Sequence, residues 1–281
     1  MIKTNYHTHN DFCDGKGAVE DYVAAAVEKG FTALGFSSHA PIPVVNEWTL
    51  SEENLPLYLA EVDRVKEKWK ERIQIYKGLE IDYIPGSQTP ADARWAALDL
   101  DFRIGSVHST VGLDLDPEYR CVDGPVENLE WLLREIHGGS FEDLSEAYYT
   151  RVAELVGLGG FQFLGHIDLV KKRNRDGAYF SEEAPWYRRQ VRNVLDILAG
   201  SSIIMEVNSG AISRNVLDEV YPSPWILAAA RKRNIPVMIN ADAHSPEAVD
   251  CNFEESRALL RETGYRETWA LLDGDWTAVP L

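Results

Sequence analysis

Cysteine is scarce in this chain. The three present, Cys13, Cys121 and Cys251, are odd in number and form no Cys-x-x-Cys pair, which argues against a disulfide framework. Cys13 falls inside a histidine-rich start and reads as a loop or packing residue beside candidate ligands. Long apolar runs are missing too, and none approaches the ~20 residues of a membrane span. The first residues lack a basic stretch followed by an apolar one, so no cleavable signal is expected and the expected location is the cytoplasm. Positive charge is in short supply: 28 Lys and Arg stand against 45 Asp and Glu, a formal net charge of −17. So acidic a surface repels nucleic acid and anionic membranes, and neither is an expected partner. A phosphorylated substrate is awkward for the same reason, unless bound divalent metals supply local positive charge. No linker rich in Gly, Ser or Pro and no repeat divides the sequence. With 281 residues, 45% of them hydrophobic, one domain over residues 1–281 is expected.

What is present is a regular alternation. Short apolar runs suited to strands occur at 2–6, 31–36, 73–79, 102–107, 161–164, 202–207 and 235–239. Between them lie segments with helical spacing, at 19–29, 58–71, 129–136, 141–156, 186–199, 222–233 and 254–263, with a shorter one at 92–98. Ser140 with Asp143 three residues on reads as the cap of the 141–156 helix. Residues 46–56 and 112–124 read as loops, and the end of the chain as a mixed tail. Seven strands alternating with helices imply βα units around a parallel sheet, and a closed or nearly closed α/β barrel is the economical arrangement.

In such barrels the chemistry sits at the C-terminal ends of the strands. Those ends here carry His7 and His9, His39, Glu80, His108, His166, Asn208, and Asp242 with His244. Six of the seven histidines are therefore placed at strand ends. His7 and His9, separated by one residue, share a side if the chain is extended. Imidazole and carboxylate are the usual ligands of zinc, iron and manganese, and so many of them suffice for two or three ions. Such groups of ions suit phosphate-ester hydrolysis, and Glu80 is the natural bridge between two of them. His137, just before Gly138-Gly139, reads as the end of a helix and stays outside the site.

Two further stretches need weighing. Gly157-Leu158-Gly159-Gly160 precedes a strand, whereas a nucleotide-binding glycine loop follows one, so it reads as a turn. Lys171-Lys172-Arg173 is the densest basic run, and it begins just past His166. With Arg214, which follows the Asn208 strand end, it could meet an anionic substrate; otherwise it is a solvated loop. The expected substrate-binding residues are Lys171, Lys172 and Arg214.

Taken in order, these motifs resemble the PHP (polymerase and histidinol phosphatase) superfamily, and within it the stand-alone PHP-type histidinol-phosphatases. The matching stretches are His7-Thr8-His9 through Cys13-Asp14-Gly15, Phe36-Ser37-Ser38-His39-Ala40-Pro41, Gly78-Leu79-Glu80-Ile81-Asp82-Tyr83 and Gly105-Ser106-Val107-His108. Gly165-His166-Ile167-Asp168-Leu169-Val170, Glu206-Val207-Asn208-Ser209-Gly210 and Asp242-Ala243-His244 complete the set. The resemblance implies a distorted (β/α)7 barrel holding three divalent metals (zinc, iron or manganese). His7, His9, Glu80 and Asp242 would hold the first ion. Glu80 would bridge to a second, bound by His108 and His166, and Asp14, His39 and His244 would hold the third. Asp11 is the alternative to Asp14, which the following Gly15 favours. Catalytic roles fall to Glu80, Asp242 and His244, and the implied reaction is hydrolysis of L-histidinol phosphate to L-histidinol and phosphate. Other readings are a PHP phosphoesterase for another small monoester such as a nucleotide or sugar phosphate, or a metal-storing or regulatory module. An amidohydrolase also begins with His-x-His, but would bring a metal-bridging lysine and an eighth strand.

Overall fold

Seven short strands are buried along nearly their whole length, as a parallel sheet covered on both faces requires. The computed structural model describes residues 2–281. The strands are β1 (Thr4–Asn5), β2 (Ala33–Phe36), β3 (Gln74–Asp82), β4 (Phe102–Ser106), β5 (Phe163–Leu164), β6 (Ile204–Asn208) and β7 (Val237–Asn240). They pair in chain order, every pair parallel. The ends meet just beyond β1 and β7, where Thr8 and Ala243 form a parallel bridge. His9 N–H donates to the Ala243 carbonyl at 2.9 Å, and Ala243 N–H to that of His7 at 3.1 Å. The expected distorted (β/α)7 barrel is thus the fold.

Helices cover the outside by apolar spacing. In Phe141–Leu158, Leu144, Tyr148, Val152 and Leu155 lie along one buried stripe, and Ser140 Oγ accepts the Asp143 N–H as the expected cap. Burying each such side chain contributes roughly 1.5–3 kcal/mol. The helix expected at 129–136 begins at Val126, and its last turn, Leu132–Ile136, is wound more loosely as a π-helix. The 92–98 helix shrinks to Ala93–Ala96, and the loop expected at 46–56 ends in the helix Asn54–Trp69. Among the described residues, no helix is long and apolar enough to cross a membrane.

The tail is the largest departure from expectation. Residues 265–281 contain a hairpin, β8 (Glu267–Leu272) with β9 (Asp275–Pro280), turned at Asp273-Gly274 with both φ positive. That dipeptide suits a tight hairpin turn. The hairpin plugs the N-terminal end of the barrel, packing Ala270, Leu271 and Val279 against Tyr6, Phe102, Phe163 and Ile204. Tyr6 Oη donates to the Leu271 carbonyl at 2.6 Å and accepts the Leu271 N–H at 3.0 Å. With one end sealed, the opposite end is left for chemistry.

Candidate metal centre

His7 and His9 leave the end of β1 in extended chain and project into the barrel mouth, both fully buried, with ring centres 5.2 Å apart. The chain then reverses through Gly15. A Cβ there would come within 2.4 Å of the Asn10 nitrogen and the His9 carbonyl carbon, so the turn demands glycine. The reversal carries Asp14 back to the imidazoles. Its carboxylate stands 3.2 Å from His244 Nε2 and 3.8 Å from both His9 Nδ1 and His39 Nε2. Asp14, not Asp11, is thus the acid brought to the cluster. Asp242 sits in the left-handed region at φ 48, a strained conformation that Asp tolerates better than most residues.

Glu80, fully buried on β3, is the centre. Its Oε2 lies 3.0 Å from His39 Nδ1, 3.2 Å from His7 Nε2 and 3.5 Å from His9 Nε2. On the other side Oε1 lies 3.0 Å from His166 Nε2 and 3.7 Å from His108 Nε2. Asp242 Oδ1 closes the first group, at 3.3 Å from His9 Nε2 and 3.6 Å from His7 Nε2. Five imidazoles therefore surround one carboxylate.

Three overlapping sets bring ligand atoms within 4.8 Å of one another: His9, Asp14, His39 and His244; His7, Glu80 and His166; and His7, His9 and Asp242. His108 reaches the cluster through Glu80. Several buried atoms here lack hydrogen-bond partners: His7 Nε2, His9 Nε2, His39 Nδ1 and Glu80 Oε2. Such atoms are expensive to bury unless something binds them. Nitrogen and carboxylate donors converging in this way fit divalent zinc, iron or manganese.

The electrostatics agree. Burial opposes charge on Glu80, yet His39 and His7 hold its carboxyl well below the usual range. Burial likewise opposes the charge on Asp242, but Arg214 and His7 keep it ionised. At His7, burial is outweighed by Glu206, Asp242 and Glu80, and the pKa rises well above its ordinary value. At His9, burial together with His244 and His39 lowers it to about 3. The cluster is thus a set of fixed anions interleaved with imidazoles, and it competes for cations, protons included.

Two acids behind the imidazoles are absent from the sequence-derived site. Glu206 accepts from His7 Nδ1 at 2.7 Å, and Asp82 from His108 Nδ1 at 2.9 Å. Carboxylates in this position orient metal-binding histidines. The available signal was strand alternation, since Glu206 shares a face with Asn208, and Asp82 with Glu80. Trp48, read only as a loop residue, packs its ring 4.9 Å from His39 and 5.8 Å from His108. Cys13 is a packing residue as expected, its Sγ 3.6 Å from His9 Nδ1 and its thiol pushed up to about 11 by burial. His137 stays apart, 2.9 Å from Thr110 Oγ1.

The cluster floors a cleft of about 380 Å³ that Lys172 and Arg214 also line. Lys172 pairs with Asp123 at 2.9 Å. Arg214 donates to Asp242 Oδ2 at 3.0 Å and stands 2.7 Å from His244 Nδ1. A Cβ on Gly210 would come within 2.7 Å of both Arg214 Nη2 and Asp242 Oδ2, so glycine there admits this pair. Lys171 is not brought to the cleft, which corrects the expectation that it contacts substrate. A 3₁₀ turn, Leu169–Lys171, rotates it into the protein. There it is 1% exposed, with its ammonium 2.7 Å from Glu219 and 3.1 Å from Asp168, and bonded to Ser223.

The sequence matches the PHP domain family over residues 5–210. It is 30% identical to a Deinococcus radiodurans protein named probable histidinol-phosphatase, over 92% of this chain and 93% of that one. It is 27% identical to a Bacillus subtilis histidinol-phosphatase, over 90% of this chain and 98% of the relative. Among solved structures, the fold resembles the histidinol phosphate phosphatase of Lactococcus lactis, complexed with zinc, L-histidinol and phosphate. The TM-score is 0.75 at 20% identity, and the match covers 98% of each chain.

Proposed function

The chain belongs to the PHP domain family, and on that premise we propose that it is a metal-dependent phosphomonoesterase hydrolysing L-histidinol phosphate to L-histidinol and phosphate, a step of histidine biosynthesis. The observation that carries the reading is the Glu80 cluster, six imidazoles and two further carboxylates gathered at one barrel mouth. Its support is a sequence that aligns almost end to end with histidinol-phosphatases.

In this reading three divalent ions are held. His7, His9, Glu80 and Asp242 would hold one; Glu80, His108 and His166 would hold a second; Asp14, His39 and His244 would hold the third. Metals bound there would supply a water acidified to near-neutral pKa and positive charge against the phosphoryl oxygens. Glu80 sets the spacing between two positions because each of its oxygens faces a different group of imidazoles. Asp242 and His244 would hold ions while tethered to Arg214, so that cation is kept in the cleft beside them. Lys172, which also lines the cleft, offers a second donor. The carboxylates of Glu118 and Asp123 also line the cleft and suit the amine of the substrate.

The test is a panel of phosphate monoesters assayed with zinc- or manganese-loaded protein. Histidinol phosphate should give the highest kcat/KM. A higher value on a nucleotide or sugar phosphate would replace the substrate, and no turnover on any ester would leave a binding module.

A further inference from the structure

Glu206 lies on β6, fully buried behind the imidazoles, and both of its oxygens are used. Oε1 accepts from His7 Nδ1 at 2.7 Å and from Asn240 Nδ2 at 2.9 Å. Oε2 accepts from the His166 backbone N–H at 3.0 Å and from Asn208 Nδ2 at 2.9 Å. With four donors satisfied, this carboxylate has little left to offer an ion. What it touches matters more. His7 and His166 face different oxygens of Glu80, one Oε2 and the other Oε1. A carboxylate that only accepts requires the proton of His7 on Nδ1. Nε2, which has no hydrogen-bond partner, is then the ring nitrogen left facing Glu80 and Asp242, where a metal would take the place of its proton.

We infer that Glu206 is a positioning residue that fixes His7 as its Nδ1–H tautomer, with Nε2 free for a metal, while drawing in the His166 backbone. One carboxylate behind the site thus sets both ligand groups that meet at Glu80. The inference rests on the metal-centre reading above. It makes a sharp demand on residue type, because a glutamine of the same shape has a single acceptor oxygen. Its amide NH2 must face either His7 and Asn240 or His166 and Asn208, donor against donor. Facing His7, it drives that proton to Nε2 and removes the lone pair that binds metal. Asp82 provides the contrast, since it braces His108 through Oδ1 at 2.9 Å and Tyr119 through Oδ2 at 2.7 Å, and touches neither His7 nor His166.

The experiment compares the parent, Glu206→Gln and Asp82→Asn. Metal-stripped protein is titrated with zinc against a chelator, and histidine ¹⁵N NMR is recorded on the zinc-loaded forms. Glu206→Gln should bind zinc ~10- to 100-fold more weakly. The parent spectrum should show His7 protonated at Nδ1 and ligated through Nε2, and Asp82→Asn should keep that signature. Parental zinc affinity in Glu206→Gln with the His7 signature unchanged would overturn the inference alone. So would an Asp82→Asn variant that disturbs His7 as much, since the effect would then be general loosening. A parent spectrum with the His7 proton on Nε2 overturns it without any variant, should Glu206→Gln not fold. A parent that binds no zinc overturns the metal reading and the inference together.

Discussion

Replacing Glu80 by Gln changes the charge and one atom, and leaves volume and shape intact. Oε2 has imidazole nitrogens at 3.0, 3.2 and 3.5 Å, and Oε1 at 3.0 and 3.7 Å. The amide oxygen can serve one of these groups, and the NH2 faces the other with no lone pair to give a metal. A buried polar group left badly paired costs about 1–3 kcal/mol. A fold stable by about 5–15 kcal/mol survives that loss. Function has no such margin. Disturbing the groups that merely support metal ligands costs ~10- to 100-fold, and a ligand shared by two ions belongs at or beyond the upper end. Turnover should therefore fall by ~100-fold or more, equivalent to about 2.7 kcal/mol of barrel-mouth chemistry. Three measurements decide the matter: kcat on histidinol phosphate, metal per chain by elemental analysis, and the unfolding midpoint of metal-free protein. Near-parental turnover with parental metal content would remove Glu80 from the site.

Protein purified without chelator from metal-replete cells should carry more than one transition-metal ion per chain by elemental analysis, because the three ligand sets exceed the needs of one; one ion or none would count against the reading. Arg214→Ala should raise KM for histidinol phosphate and weaken phosphate inhibition together, by roughly 10- to 100-fold for a lost charge-assisted bond, and should also loosen metal, since Arg214 braces Asp242 and His244; parental KM and phosphate inhibition would take Arg214 out of the substrate site. Lys171→Ala should leave KM alone and instead lower the urea midpoint, since breaking a buried ion pair costs about 3–5 kcal/mol; a raised KM at unchanged stability would return Lys171 to the cleft. Tyr6→Phe should lose about 1–3 kcal/mol by stranding the Leu271 N–H and carbonyl, and an unchanged midpoint would mean the hairpin is not held there.

Much of this was legible in the sequence, for reasons that differ by residue. Seven strands showed because each is a short apolar run punctuated by polar residues, a local property. The hairpin was missed although Asp273-Gly274 announced it, because the flanking residues 267–280 alternate apolar and polar only loosely and read as a tail. Lys171 and Lys172 are neighbours of one type, yet one turn of 3₁₀ helix buries the first against Asp168 and Glu219 and leaves the second in the cleft wall. Glu206 lies inside the apolar run at 202–207, and the period of a strand shows which residues share a face and not what that face meets.

The sequence by itself determined the donor set: imidazoles and carboxylates at strand ends, a chemistry written in residue type and local position. Only the tertiary structure decided the pairings. Closing β1 against β7 sets His7 and His9 beside Asp242 from the far end of the chain, and seats Glu80 between groups that no local spacing relates. Those distances come from strand register and barrel closure, which are sums over long-range contacts rather than properties of any segment.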